Sequence, residues 1–312
     1  MNKMCSDNHW RQCLMKKYVC FIAIIMSLIF IFGAGCKKNG TEYNPNLLVF
    51  NFESIRVSVF GSSGGSVDLN VAGGTRPYPY LWSNGEITEN IRNRIAGAYL
   101  VTVADKNAET ITNSTVVRQP NETATVTDID GNLYQTVKIG NQWWMAENLR
   151  VTRDSRGNPI SSYVYNNDER TALKYGRLYT WQAMMNGSSS PGAQGIAPDG
   201  WHIPSIDEWQ ILIDFLGGNA VAGGKMKEPG TEYWRSPNAG ATNSSGLTLV
   251  ASGSYVISQN RFCDLKAGAH ILTSSSDGDF GIFVAVASHS SDIGSDLISK
   301  TDIGFSVRCV KN

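Results

Sequence analysis

Three textures follow one another along the chain. Residues 18–35, YVCFIAIIMSLIFIFGAG, are almost wholly apolar. From Leu47 to Val117 short β-rich runs alternate with Gly, Ser and Asn clusters, and beyond Asn121 helical spacing enters. In the middle stretch IRVSVF (55–60), SVDLNV (66–71), YPYLW (78–82), GAYLVTVAD (97–105) and TITNSTVV (110–117) alternate or carry β-branched residues, which predicts strands. Gly61 to Gly65, Gly73–Gly74 and Asn84–Gly85 punctuate them, and Asn-Gly favours a tight turn because both residues tolerate positive φ. Strands at this spacing predict a small β-sandwich of the immunoglobulin-like kind over 47–121, without a helix.

After Gln119-Pro120-Asn121 the segment TVTDIDGNLYQTVKIGNQWWMAENL (125–149) reads as strand, turn, strand, turn, aromatic strand. Asp128, Asp130 and Asn132 have the look of a calcium loop, but no glutamate stands at the twelfth position, so a hairpin turn is expected. Ser205 to Leu216, SIDEWQILIDFL, predicts a helix. Ser205 and Glu208 form a capping box, Gly217–Gly218 stops it, and Ile206, Trp209, Leu212, Ile213 and Leu216 make one apolar face. A shorter helix is expected over Leu178 to Met185, closed by Gly187. The remainder from Gly218 is Gly/Ser-rich and reads as strand and loop, with Ile282 to Ala287 a buried strand. Together these elements predict an α+β domain over 122–312.

The chain of 312 residues balances 27 basic against 27 acidic side chains and is 42% hydrophobic, enough for a real core. That balance disfavours nucleic acid as a partner. The leader shifts it: without Lys3, Asp7, Arg11, Lys16 and Lys17 the remaining 277 residues carry 23 basic and 26 acidic groups. Lys16–Lys17 before the apolar run, and small residues after it, have the form of an export signal over 1–35. Phe32-Gly33-Ala34-Gly35-Cys36 resembles a bacterial lipobox, in which the cysteine is acylated and becomes the mature N-terminus. That resemblance implies membrane attachment through Cys36, a polar tether over 36–46, and an outer-membrane or cell-surface location. A single spanning helix with an incidental cysteine is the alternative. Met15, just before Lys16, is an alternative start.

GGTRPYPYLWSNGEITENIRNRIAGAYLVTVAD (73–105) resembles the SprB-type repeat, which implies a β-sandwich module of surface proteins of the Bacteroidetes. A single copy suits a spacer, and Tyr78, Tyr80 and Trp82 are expected to pack in its core. DIDGNLYQTVKIGNQWWMAENLR (128–150), YGRLYTWQAMM (175–185), APDGWHIPSIDEWQIL (197–212) and GFSVRCV (304–310) resemble the Fibrobacter succinogenes major paralogous domain. GWHIPSIDEW and GFSVR are also similar to segments of formylglycine-generating-enzyme-like proteins. This implies a C-type-lectin-like fold whose first and last strands pair and whose long loops carry function.

No H-E-x-x-H or C-x-x-C occurs, so no enzyme is expected. A formylglycine-generating activity would need a cysteine pair in a matching motif, and Cys263 and Cys309 lack one. As the two thiols left after Cys36 in an oxidising compartment, they are expected to pair, closing about 46 residues and adding roughly 4 kcal/mol in the chain-entropy account. His202 is expected to be hydrogen-bonded near the helix start. His289 with Asp292 and Asp296 is expected to form a polar loop rather than a metal site. No cofactor is expected. Ca²⁺ is the one ion that oxygen ligands such as Asp277 and Asp279 would suit, an ordinary turn being the plainer reading. Tyr163, Tyr165, Tyr233 and Trp234 are the candidate ligand-binding residues, since aromatic faces stack on sugar C–H surfaces. The functions to be weighed are therefore an adhesion lipoprotein gripping polysaccharide or a surface ligand, or an assembly component of the envelope binding another protein.

Overall fold

The structure, a computed structural model, describes residues 47–312. Cys36, the leader and the tether lie outside the described residues. The described chain divides into two units, one of 47–56 and 63–118, the other of 119–312 with the short segment 57–62. No helix among the described residues is long and apolar enough to cross a membrane.

In the first unit the strands are β1 (Val49–Ile55), β2 (Gly65–Ala72), β3 (Tyr80–Trp82), β4 (Ile91–Arg94), β5 (Gly97–Ala104) and β6 (Thr110–Val117). They form two antiparallel three-stranded sheets, ordered β1-β2-β4 and β3-β5-β6. The period-two pattern decides what is buried: in β5 Tyr99, Val101 and Val103 face in, while Ala98 and Leu100 face out. Val67, Leu69, Ile91 and Trp82 complete the core, with Phe52 and Trp82 meeting across the sheets at 6.5 Å between ring centroids. Trp82 can be buried because its indole N–H donates to the Thr88 carbonyl at 2.8 Å. The strand expected at 55–60 lies earlier instead, as β1, and β4 was not foreseen because its polar residues, Arg92 paired with Asp68 among them, hide the alternation. The Gly-Gly before the proline-rich segment has a local cause. Asp105 accepts hydrogen bonds from the Thr75, Asn107 and Glu109 N–H groups, and Gly74, at φ +60°, would push a Cβ to 3.2 Å from the Asp105 Cβ.

The second unit is also mostly antiparallel strand. Its elements are β7 (Thr123–Thr127), β8 (Leu133–Ile139), β9 (Gln142–Met145), β10 (Trp201–His202), β11 (Ser254–Val256), β12 (Arg261–Cys263), β13 (Gly268–Asp277), β14 (Phe280–Ala287), β15 (Ile293–Ser299), β16 (Ile303–Gly304) and β17 (Val310–Lys311). They assemble as β10-β17-β9-β8-β7, β12-β11-β16 and β13-β14-β15. The closing strand β17 pairs with β9 and β10, and not with β7, the first strand of the unit. The helix over Ile206–Phe215 has both halves of its capping box, and Trp209, Leu212 and Ile213 are buried. The shorter helix is confined to Trp181–Met185 because Leu178 and Tyr179 extend to bridge Tyr163 and Phe305.

A further helix, Asn219–Met226, was hidden by its paired glycines. Both are needed for close approach: a Cβ on Gly223 would stand 2.7 Å from the Ser291 carbonyl, and one on Gly224 2.5 Å from that of Gly240. One core cluster gathers Trp144, Trp209 and Trp234, and a second gathers Tyr134, Tyr179, Trp181, Phe283 and Phe305. Arg308 is fully buried. It donates to Asn148 Oδ1 (2.6 Å) and to the carbonyls of Met145 (2.9 Å), Leu247 (2.6 Å) and Thr248 (2.8 Å), tying the closing segment to two distant loops. Burial pulls its pKa down to about 9, and the four oxygens keep the guanidinium charged at neutral pH.

Candidate functional site

Two of the four aromatic candidates come together on one surface. Tyr163 is held by its bridge to Leu178, and Tyr165 opens a short 3₁₀ turn through Asn167. They flank the β11–β12 hairpin, whose Tyr255 and Phe262 are direct cross-strand partners. The four rings form a series, Tyr163–Tyr255–Phe262–Tyr165, with successive centroid separations of 4.5, 4.5 and 4.9 Å. Tyr163, Tyr165 and Phe262 are half-buried and Tyr255 is buried. The Tyr255 hydroxyl donates to Asn260 Oδ1 at 2.7 Å, and Asp302 accepts from the Ser258 N–H (2.8 Å) and hydroxyl (2.9 Å). The hairpin loop is thus fixed, and a ligand meeting the rings would not have to order it. Tyr255 and Phe262 were missed in the sequence, although two aromatics flanking Ile-Ser-Gln-Asn at hairpin spacing were the available signal.

Trp234 belongs elsewhere. It is fully buried, with its indole N–H donating to the Leu249 carbonyl at 2.8 Å and the Lys227 ammonium 5.1 Å from its ring centroid, so it is core and not a ligand platform. Lys227 has the same character: its Nζ donates to the Ala287 and Ser290 carbonyls, and burial lowers its pKa to about 8. Tyr233 is half-buried and edge-on to Tyr175 at 5.8 Å, apart from the ring series.

Cys263 and Cys309 are not joined to each other in a disulfide. Cys309 is fully buried inside the second core cluster, where burial pushes its thiol pKa well up, whereas Cys263 ends a strand of the β12-β11-β16 sheet. Asp277 closes β13 before a two-residue hairpin turn, Gly278-Asp279, and the Gly278 carbonyl accepts the Lys300 ammonium at 2.8 Å. A cation is therefore already supplied by the chain at that turn. Among the described residues no group of three or more His, Cys, Asp or Glu could hold a metal ion, His289 with Asp292 and Asp296 included.

His202 bonds Glu208 through Nε2 and Asn312 through Nδ1, each at 2.7 Å. The bond to Glu208 raises the imidazole's pKa. Ser205 donates both its N–H and its hydroxyl to the other Glu208 oxygen. The carboxylate thus stands between hydroxyl and imidazole, which makes a helix cap and not a nucleophile–base pair. Asp128 is likewise committed, accepting from the Asp130 and Asn132 N–H groups and from the Tyr134 hydroxyl at 2.6 Å, as expected of a turn.

A family model described as the Fibrobacter succinogenes major domain matches residues 137–311. The chain belongs to that family. The matched stretch runs from the middle of β8 to the end of β17, so the Fibrobacter succinogenes major domain includes the ring series, the capped helix and the Arg308 brace. No curated protein and no solved structure matches the chain.

Proposed function

We propose that the protein is a lipid-anchored lipoprotein of the outer membrane or cell surface, and that its Fibrobacter succinogenes major domain is a non-catalytic binding module for polysaccharide or a similar surface ligand. The observation that carries this reading is the Tyr163–Tyr255–Phe262–Tyr165 series on a braced hairpin. Ring faces carry negative charge density that attracts polarised C–H groups, and rigid aromatics lose little entropy on binding. The lipobox-like Cys36 and the SprB-like segment support surface display. The paired sheets of the first unit favour an immunoglobulin-like spacer, and the short sheets and long loops of the second unit favour a lectin-like head.

The test is a pull-down of the full chain against insoluble polysaccharides, together with a glycan array. Binding is expected, and Phe262→Ala should weaken it about tenfold or more, near 1.4 kcal/mol. Blank results on both would overturn the carbohydrate reading and leave the protein-binding alternative, for which crosslinking of the intact envelope would recover a constant partner.

A further inference from the structure

An opening lies beside the hairpin turn that carries Asp279. It has a volume of about 550 Å³, within the range of small-ligand pockets. Trp181 and Lys300 line it with Gln182, Asp279, Phe280 and Thr301. The Lys300 ammonium lies 4.4 Å from the Trp181 ring centroid and spends one N–H on the Gly278 carbonyl. Two N–H groups remain, and among the described residues no carboxylate pairs with it. Trp181 is locked beneath by its own N–H, donated to the Thr273 carbonyl, and by the space at Gly281, where a Cβ would come within 2.3 Å of the indole.

The polar groups around this opening are not tied into turns. Asp128, Asp130, Asp154, Asp168 and Asp302 each accept hydrogen bonds that shape turns. Asp279, by contrast, has no hydrogen-bond or ion-pair partner among the described residues, and neither has the Gln182 side-chain amide or the Thr301 hydroxyl. Phe280 is 50% exposed beside them. The cleft therefore presents an exposed apolar ring, an exposed carboxylate and an ammonium with two N–H groups not used within the fold. Asp279 and Lys300 do not satisfy each other.

We propose that this cleft binds a hexuronate residue of an acidic polysaccharide. A uronic acid fits the set in one piece: its carboxylate takes the two remaining Lys300 N–H groups, its hydroxyls donate to Asp279 and exchange bonds with Gln182 and Thr301, and its C–H face covers Phe280. A neutral sugar leaves the ammonium without an anion, and a simple carboxylate leaves Asp279 without donors. The ring series of the proposed function shares no residue with this opening, so one site can fail without the other.

The experiment is calorimetric titration of the full chain with trigalacturonate and triglucuronate, and with the neutral trigalactose and triglucose. At least one acidic trisaccharide should bind about tenfold or more tightly than its neutral counterpart, with affinity falling as salt shortens the screening length. Lys300→Gln should abolish that preference. Asp279→Asn, which breaks no contact in the fold, should weaken the acidic ligand about tenfold, whereas Phe262→Ala should leave it unchanged. Equal affinity for acidic and neutral trisaccharides, or no binding of either acid, overturns the proposal. A Phe262→Ala variant that loses neutral polysaccharide while keeping trigalacturonate isolates this cleft from the ring series.

Discussion

Replacing Arg308 by Lys keeps the buried positive charge and removes the planar fork. Arg308 fills four oxygens at 2.6–2.9 Å, those of Asn148, Met145, Leu247 and Thr248. A lysine has three N–H groups on a single nitrogen, so at best two of those oxygens keep a donor at comparable geometry. Each lost hydrogen bond to a charged donor costs about 1.5 kcal/mol, giving roughly 3 kcal/mol for Arg308→Lys. Arg308→Met strands all four acceptors in the interior and should cost about 3–5 kcal/mol. Six of the seven described tryptophans lie in the second unit, so urea unfolding followed by tryptophan fluorescence reads the right part of the chain. For a unit of this size about 3 kcal/mol corresponds to a fall in Tm of roughly 6–12 °C. A double-mutant cycle with Asn148→Ala should give a coupling of about 0.5–3 kcal/mol, because Asn148 also donates to the Tyr175 carbonyl and the Ser306 hydroxyl. If Arg308→Lys unfolds within about 0.5 kcal/mol of the parent, the four-oxygen brace is not what holds the closing segment.

Three further outcomes are expected. His202 has its pKa raised by Glu208, so its contribution is full below the unfolded value of about 6.5 and is lost as pH rises through the higher native value; His202→Gln should flatten that alkaline loss in a pH series of unfolding midpoints. Asp154 is held below the usual carboxylate range by the Asn158 side chain and nearby N–H groups, so its contribution is present above about pH 4 and disappears as pH falls through the lower native value; Asp154→Asn should blunt acid unfolding, and an unchanged acid limb would count against it. Gly223→Ala should destabilise by about 1–3 kcal/mol: helix propensity alone predicts a gain near 1 kcal/mol, but the new methyl meets the Ser291 and Asp292 carbonyls at 2.7 and 2.8 Å. A stabilised variant in thermal melts would refute that packing account.

Legibility in the sequence followed how local each cause is. The capped helix was readable because Ser205, Glu208 and the apolar spacing all act within one turn or two. The first three strands of the second unit were readable for the same reason, since turn residues and alternation lie side by side in 125–149. The helix at Asn219–Met226 was not, because its glycines answer to carbonyls some 15 to 70 residues away. Among the site candidates, Tyr163 and Tyr165 were found as aromatics in a loop-rich stretch, but their partners Tyr255 and Phe262 come from a hairpin about 90 residues later. Trp234 has the same composition signal as a surface platform, and only the Leu249 carbonyl at its N–H shows that it is interior. Cys263 and Cys309 were paired by counting, which carries no information on where a fold puts two sulfurs.

The position of β17 bears on how the second unit is made. Two residues near the end of the chain, Val310 and Lys311, fill the slot between β10 and β9, so the five-stranded sheet cannot close until they arrive. Val310 pairs with Trp144 across more than 160 residues, a contact of high order whose loop-closure entropy must be met before any sheet energy returns. Until Val310 and Lys311 are in place, β7, β8 and β9 are therefore available only as an unclosed meander. The two ends of the unit are thus clamped by one short strand, and the sheet sets as a whole rather than strand by strand.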